Sequence, residues 1–371
     1  MDQPALRPAC PNFSSGPCAK RPGYAPTSLD VRALGRSHRS ALGKELLGRA
    51  CEQTRRVLAL PEGWRAGIVP ASATGAIEMA LWSMLGVRGV DVFAWDAFGN
   101  TWANDITQQL KLPDVRVFEA PYGELPDLSQ YDAERDAVFT WNGTTSGVCV
   151  PHGDWIAENR AGLIFCDATS AVFSMPLPWD KLDVVTFSWQ KALGGEGAHG
   201  MLLLSPRAVQ RLESYTPPWP MPKIFRLTSG GKLAEGIFRG ETINTPSMLC
   251  VADYLDALAW AEKMGGVPAL NARSRESLGY IEDFVAAHDW IDFLARDAAA
   301  RSCTSVCLTL DMPAEKIKTM QTLLAHAGVA YDIGSYKSAP VGLRIWCGAT
   351  VEPADVRALL PWLAWAYEQL R

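Results

Sequence analysis

The sequence predicts an α/β fold: a mainly parallel sheet, then a smaller C-terminal α/β unit. Two observations predict it. From residue 65 onward short apolar runs alternate with amphipathic segments, the pattern of strands and helices in successive βα units. After the long helix MLCVADYLDALAWAEKM, the pattern resumes from about residue 267 as helix–strand–helix–strand–helix. Hydrophobic residues make up 48% and charged residues 20%, the balance of a globular enzyme able to bury a large core.

The elements follow in order. A Pro- and Gly-rich arm precedes SHRSALGKELLGRACEQTRRVLAL, which has helical periodicity. RAGIVP reads as a strand, followed by a glycine turn and the helix AIEMALWSML. VDVFAW is a strand leading to a helix around WANDITQQL; VRVFEA, DAVFTW, GLIFCDAT, VVTFSW and HGMLLLS are further strands. Residues 215–247 are Pro-rich and irregular, long for a connection inside a compact domain and so expected to be functional. Lys223, Arg226, Lys232 and Arg239 make this stretch basic. In the last third, SVCLTL and GLRIWCG are the strands, and the N-terminal arm is expected to complete that smaller unit.

Charge and cysteines narrow the class. A net charge of −5 leaves no broad basic stripe for nucleic acid. Nine cysteines show no metal spacing, Cys303 and Cys307 being four apart, so no metal is expected. The odd cysteine count and the lack of an apolar leader predict free thiols and a cytoplasmic location. No apolar run reaches membrane-spanning length.

The chemistry centres on Lys191 and Asp167. VVTFSW runs into Gln190 and Lys191 before a glycine-rich turn, and GLIFCDAT ends in Asp167. Strands ending in Asp and in Lys suit pyridoxal phosphate: the amine condenses with its aldehyde, and the carboxylate keeps its ring nitrogen protonated. Taken alone, a solvated surface lysine and an Asp that caps a helix or turn are the commoner roles for these two residue types. PASATGAIEMALW puts Ala73, Thr74 and Gly75 between strand and helix, where backbone N–H groups favour a phosphate, or where Thr74 simply caps the helix. Trp102 offers a large face to a planar cofactor, or fills the core. Thr144 in TWNGTTSGV is a donor toward a ring hydroxyl, or part of a polar turn. His38, Arg39 and Arg344 are candidate anion ligands, since a guanidinium matches a carboxylate or phosphate in bidentate fashion.

Together these features resemble the phosphoserine aminotransferase family, class-V pyridoxal-phosphate enzymes of fold type I. The matches run nearly end to end: NFSSGP, SHRS, SATG, the Trp after GNT, NGTTSG, the Asp of CDATS, SWQK, INTPS and the final GLR. The resemblance implies a seven-stranded large domain (16–261) and a small domain (1–15 with 262–371). It implies a homodimer with shared active sites, acting on small anions: phosphoserine, glutamate and 2-oxoglutarate. Lys191 would bond the cofactor and shuttle the Cα proton, Asp167 pair with the ring nitrogen, Trp102 stack on the ring and Thr144 meet its hydroxyl. Ala73, Thr74 and Gln190 would hold the cofactor phosphate, with Asn244 and Thr245 reaching it from the partner subunit. Arg344 would grip the substrate α-carboxylate, and His38 and Arg39 its distal anion.

Two departures stand out. The better-known form has an Arg where this chain has Thr74, and a His seven residues before the final Arg, where this chain has Lys337. Lys232 or Arg239 is expected to supply the missing charge. The nearest alternative is a serine–pyruvate or alanine–glyoxylate transaminase, in which His38, Arg39 and Lys337 would lack a purpose. A cysteine desulfurase would need a nucleophilic Cys on a mobile loop, whereas Cys347 lies in an apparent strand. A non-catalytic α/β binding protein would leave Lys191 on its surface.

Overall fold

The computed structural model describes residues 2–371. An extended arm leads to α1 (Ala41–Val57), whose N-cap Ser40 accepts a hydrogen bond from the Gly43 amide. The alternating region then lays down β1 (Arg65–Pro70), α2 (Ser72–Met84), β2 (Val90–Ala94), α3 (Ala97–Asn104), β3 (Val115–Glu119) and β4 (Asp136–Thr140). A short hairpin, β5 (Asn142–Gly143) and β6 (Val148–Cys149), precedes β7 (Ile164–Asp167), β8 (Val184–Ser188), β9 (His199–Leu204) and α4 (Pro206–Ser214).

β1–β4 and β7–β9 form a seven-stranded sheet in the order β1-β9-β8-β7-β4-β2-β3. The four pairings from β8 through β3 are parallel, and β9 runs antiparallel to both its neighbours. The sheet is buried on both faces, which is why its strands read as continuous apolar runs. Val92 and Val138 pack into one core cluster while Phe93 and Phe139 pack into another, as alternate residues of a strand must. Edge strand β3 is the exception, with Val117 exposed.

The irregular stretch contains a small hairpin, β10 (Thr228–Ser229) and β11 (Lys232–Leu233), before α5 (Met248–Met264). Gly265, with φ of 107°, ends α5 in the left-handed region. The remainder comprises α6 (Gly266–Ala286), β12 (Ile291–Phe293), β13 (Ser305–Leu310), α7 (Ala314–His326), β14 (Leu343–Trp346) and α8 (Pro353–Leu370). β12-β13-β14 is an antiparallel sheet. β12 is a correction to the two strands expected here: three residues are too short to show a period. The N-terminal arm lies along this sheet, with Trp346 N donating to Phe13 O at 3.0 Å and Tyr331 N to Pro11 O at 2.9 Å. No helix among the described residues is long and apolar enough to cross a membrane.

Candidate active site

In an open parallel sheet, ligands bind beyond the carboxyl ends of the strands. There the structure has a cavity of about 390 Å³, within the size range of small-molecule sites. Ala73, Thr74, Trp102, Thr144, Asp167, Gln190 and Lys191 all line it, so seven residues spread over more than a hundred positions meet at one rim.

Each wall has a local cause. At the first βα turn, Ala71 and Ser72 adopt φ of 64° and 56°. Such strain in non-glycine residues is kept where surrounding structure demands it. Gly75 follows because a Cβ there would lie 2.2 Å from Pro70 O. Ser72, Ala73 and Thr74, the first residues of α2, line the cavity, and a helix N-terminus is a setting for an anion. Asp96 caps α3 by accepting from Phe98 N and Gly99 N, and its other oxygen holds Thr145. That carboxylate fixes the helix bearing Trp102 to the turn bearing Thr144.

Asp167 is buried at the end of β7. Thr169 N donates to its Oδ1 at 3.0 Å and Trp102 Nε1 to its Oδ2 at 3.1 Å. Burial raises its pKa, and these hydrogen bonds oppose the shift. Lys191 is also buried; its Nζ donates to Ser15 O and lies 5.8 Å from the Trp346 ring centroid. Burial lowers its pKa; Cys18 opposes this and Arg344 adds to it. Close approach explains NFSSGP: a Cβ at Gly16 would sit 3.0 Å from Lys191 Nζ.

Arg344 stands on β14, with its backbone N donating to Ile333 O at 2.7 Å. Its guanidinium lies over Tyr336, whose ring packs on Phe98 of the cavity wall. Among the described residues it has no acidic partner, and its buried Nε has no hydrogen bond. Burial lowers its pKa. A half-buried guanidinium with no acidic partner and an unsatisfied Nε is costly unless an anion joins it.

The small sheet also holds the cavity floor. Ser305 Oγ donates to Thr144 O at 2.6 Å, and Thr304 Oγ1 to Ser170 O at 2.7 Å. Ser170 Oγ donates to Asn142 O at 2.9 Å. With their protons committed, the Ser170 and Thr304 hydroxyls accept from Asn142 Nδ2 at 2.8 and 3.2 Å. Asn142 Oδ1 is left buried without a partner, as are Thr140 Oγ1 and Gln190 Oε1, all in residues lining the cavity. Replacing Ser305 with alanine strands a buried carbonyl and is expected to cost about 1–3 kcal/mol, read from a denaturant melt.

Other expected site residues lie elsewhere in the chain. His38 and Arg39 line a second cavity of about 290 Å³, together with Lys44, Glu241 and Thr242. Asn244 and Thr245 are exposed on the turn that follows and do not line the first cavity of their own chain. Lys337 is exposed, 6.0 Å from the Tyr336 ring centroid. Neither Lys232 nor Arg239 reaches the phosphate turn of its own chain. Lys232 is 78% exposed and pairs with Glu213 of α4 at 3.3 Å. On that helix Arg211 binds Asp136 at the amino end of β4, so the hairpin sits at the rim opposite the cavity. Arg239 is exposed, with its backbone packed against Gly48 of α1. Sequence reasoning missed Phe98, Tyr336, Asp96, Asn142 and the β13 hydroxyls. Only NFSSGP and NGTTSG carried any signal for this second layer.

The residues present fit pyridoxal phosphate: an amine for its aldehyde, a carboxylate for its ring nitrogen, an indole for its face and a helix N-terminus for its phosphate. The comparisons agree. The profile described as Aminotransferase class-V matches residues 113–351. The phosphoserine aminotransferase of Methanosarcina barkeri is 61% identical over 369 residues, covering 100% of both chains. The crystal structure of a phosphoserine aminotransferase from Cytophaga hutchinsonii superposes with a TM-score of 0.83 at 21% identity, covering 95% of this chain and 97% of that one. A pyridoxamine-pyruvate aminotransferase from Mesorhizobium loti superposes almost as well, with a TM-score of 0.81 at 20% identity and coverage of 100% and 95%. Fold alone therefore does not select the substrate. The chain belongs to the class-V aminotransferases, a pyridoxal-phosphate-dependent family. Within that class its place is with the phosphoserine aminotransferases.

Proposed function

We propose that the chain exchanges an amino group between L-glutamate and 3-phosphohydroxypyruvate, giving O-phospho-L-serine and 2-oxoglutarate on the route to serine. One observation carries the reading: a single cavity holds a buried amine, a buried carboxylate and a strained helix N-terminus, with an unpaired guanidinium on the adjoining strand. Pyridoxal phosphate supplies an aldehyde carbon for the amine and a ring that withdraws electrons from the substrate Cα.

The chain's own groups do the rest. Lys191 Nζ removes the Cα proton as general base, and its lowered pKa increases the free-amine fraction near neutrality. Asp167 holds the ring-nitrogen proton, Trp102 covers the ring face and Thr144 meets the ring hydroxyl. Ala73, Thr74 and Gln190 hold the cofactor phosphate, joined by Asn244 and Thr245 from the partner subunit of a homodimer. Arg344 binds the α-carboxylate with Lys337 nearby. The large domain of this reading is 16–261 and the small domain is 1–15 with 262–371. The nine cysteines are free thiols, which suits a cytoplasmic enzyme.

The distal pocket must accept a phosphate from one substrate and a carboxylate from the other, so several bases suit it better than one close contact. His38 and Arg39 supply two. Lys44 shares their cavity and lies 3.6 Å from Glu241; it is a better third base than Lys232 or Arg239. Lys44→Ala is expected to raise the KM for phosphoserine about tenfold with kcat within a factor of about two, as for the loss of one charge-assisted contact. An unchanged KM would exclude Lys44.

The reading is tested by mixing the loaded protein with phosphoserine, glutamate or alanine and following the cofactor's visible absorbance. Phosphoserine and glutamate should each bleach the band rapidly. Faster reaction with alanine than with phosphoserine would move the assignment to a serine–pyruvate or alanine–glyoxylate transaminase.

A further inference from the structure

His199 does not line the cavity and has no part in the chemistry above, yet it is buried at the start of β9. Its Nε2 accepts a hydrogen bond from Ser247 N at 3.0 Å. Only an unprotonated nitrogen accepts, so the ring proton sits on Nδ1. Burial lowers the ring's pKa, which keeps the imidazole neutral. Its ring packs at a tilt of 58° against Trp189 with centroids 5.0 Å apart, and Trp189 stacks on Tyr254 of α5 at 4.4 Å. The preceding residue, Ala198, lines the cavity in a left-handed conformation with φ of 69°.

His199 thus stands between two turns. One carries Gln190 and Lys191. The other, residues 242–247, carries Asn244 and Thr245, both exposed. The side-chain hydrogen bonds inside the second turn are local: Thr242 Oγ1 to Asn244 O at 2.7 Å and Asn244 Nδ2 to Thr245 O at 3.4 Å. The Ser247–His199 bond ties the far end of this turn to the large sheet. Glu196 N, donating to Asp253 Oδ2 at 2.9 Å, joins the same two regions a few residues further on.

We propose that His199 is a positioning residue: its neutral imidazole fixes the Asn244–Ser247 turn against the Lys191 turn and so sets how Asn244 and Thr245 are presented. The inference rests on the reading that these two residues hold the cofactor phosphate across the dimer. It concerns a residue that none of the family motifs includes.

The experiment measures cofactor release from the loaded dimer into a trapping buffer for four proteins: wild type, His199→Phe, His199→Gln and the double variant Asn244→Ala/Thr245→Ala. Phenylalanine keeps the packing on Trp189 and removes the acceptor. Glutamine places an amide oxygen near the position of Nε2. His199→Phe is expected to release cofactor about tenfold faster, the scale of one hydrogen bond, with kcat at saturating cofactor little changed. Glutamine should restore retention, which a general folding defect would not permit. Should the phenylalanine variant not fold, His199→Asn, whose amide stops short of Nε2, replaces it as the acceptor-free comparison. Faster release from the double variant with unchanged release from His199→Phe overturns the positioning role. Unchanged release from the double variant overturns the phosphate reading itself, and the positioning role with it.

Discussion

Lys191→Ala is expected to lower turnover by about 10²–10⁴-fold, the contribution of a well-placed general base. The visible absorbance of the lysine-bound cofactor should vanish with it, and borohydride should fix no cofactor to the protein. The geometry explains why nothing substitutes. Nζ is buried against Ser15 O and Trp346. Lys20 is held by Asp253 and Glu196, and Arg344 remains charged near neutrality. Stability should respond in a defined direction. The folded pKa of Lys191 lies below its ordinary value of 10.5, so below 10.5 the unfolded chain binds more protons than the folded one. Burying this amine therefore costs stability at neutral pH, and the cost fades as pH rises through 10.5. In cofactor-free protein, Lys191→Met should be more stable relative to wild type at pH 7 than near 10.5, as read by thermal melts. Full turnover in Lys191→Ala would end the functional assignment.

Arg344→Ala is expected to reduce kcat/KM by about 10²–10⁴-fold for every amino-acid substrate, the scale of two charge-assisted hydrogen bonds to a carboxylate. Arg344→Lys should recover only part of this, because an ammonium keeps the charge and loses the planar fork. The reason is the missing internal partner. Asp136, Asp183 and Asp91, in or beside the large sheet, are paired with Arg211, Arg160 and Arg135, whereas the guanidinium of Arg344 is half-buried with Tyr336 across its face. Removing it should also act on Lys191. Arg344 helps to lower the pKa of that amine, so Arg344→Gln should raise it. Cofactor recombination with the stripped protein depends on the free amine, and its pH profile should move to higher pH. A profile that stays in place, or a loss confined to phosphoserine, would contradict the assigned role.

Much of the site was legible because its chemistry is local. Asp167 and Lys191 each end an apolar run, and a strand end is visible from the run itself. SATG follows RAGIVP after the single residue Ala71, so a helix N-terminus at the sheet rim could be expected without knowing any distance. The second layer was not legible. Ser305 and Thr144 are separated by 161 residues, yet their contact holds the cavity floor. Nothing in SCTS marks it as a clamp. The unpartnered Asn142 Oδ1 depends on where two neighbouring hydroxyls send their protons, which no motif encodes. The charge of Lys232 is visible in the basic stretch 215–247, whereas the fold of the β10–β11 hairpin onto α4, where Lys232 pairs with Glu213, is not.

By itself, then, the sequence determined the fold class, the strand ends that bear Asp167 and Lys191, and the family, since all three rest on short-range periodicity and on motif order along one chain. The tertiary structure decided which bases stand together. It put Lys44 with His38 and Arg39, left Arg344 without an acid, and set His199 between two turns. Those outcomes depend on the packing of segments far apart in the chain, and packing is a property of the whole fold.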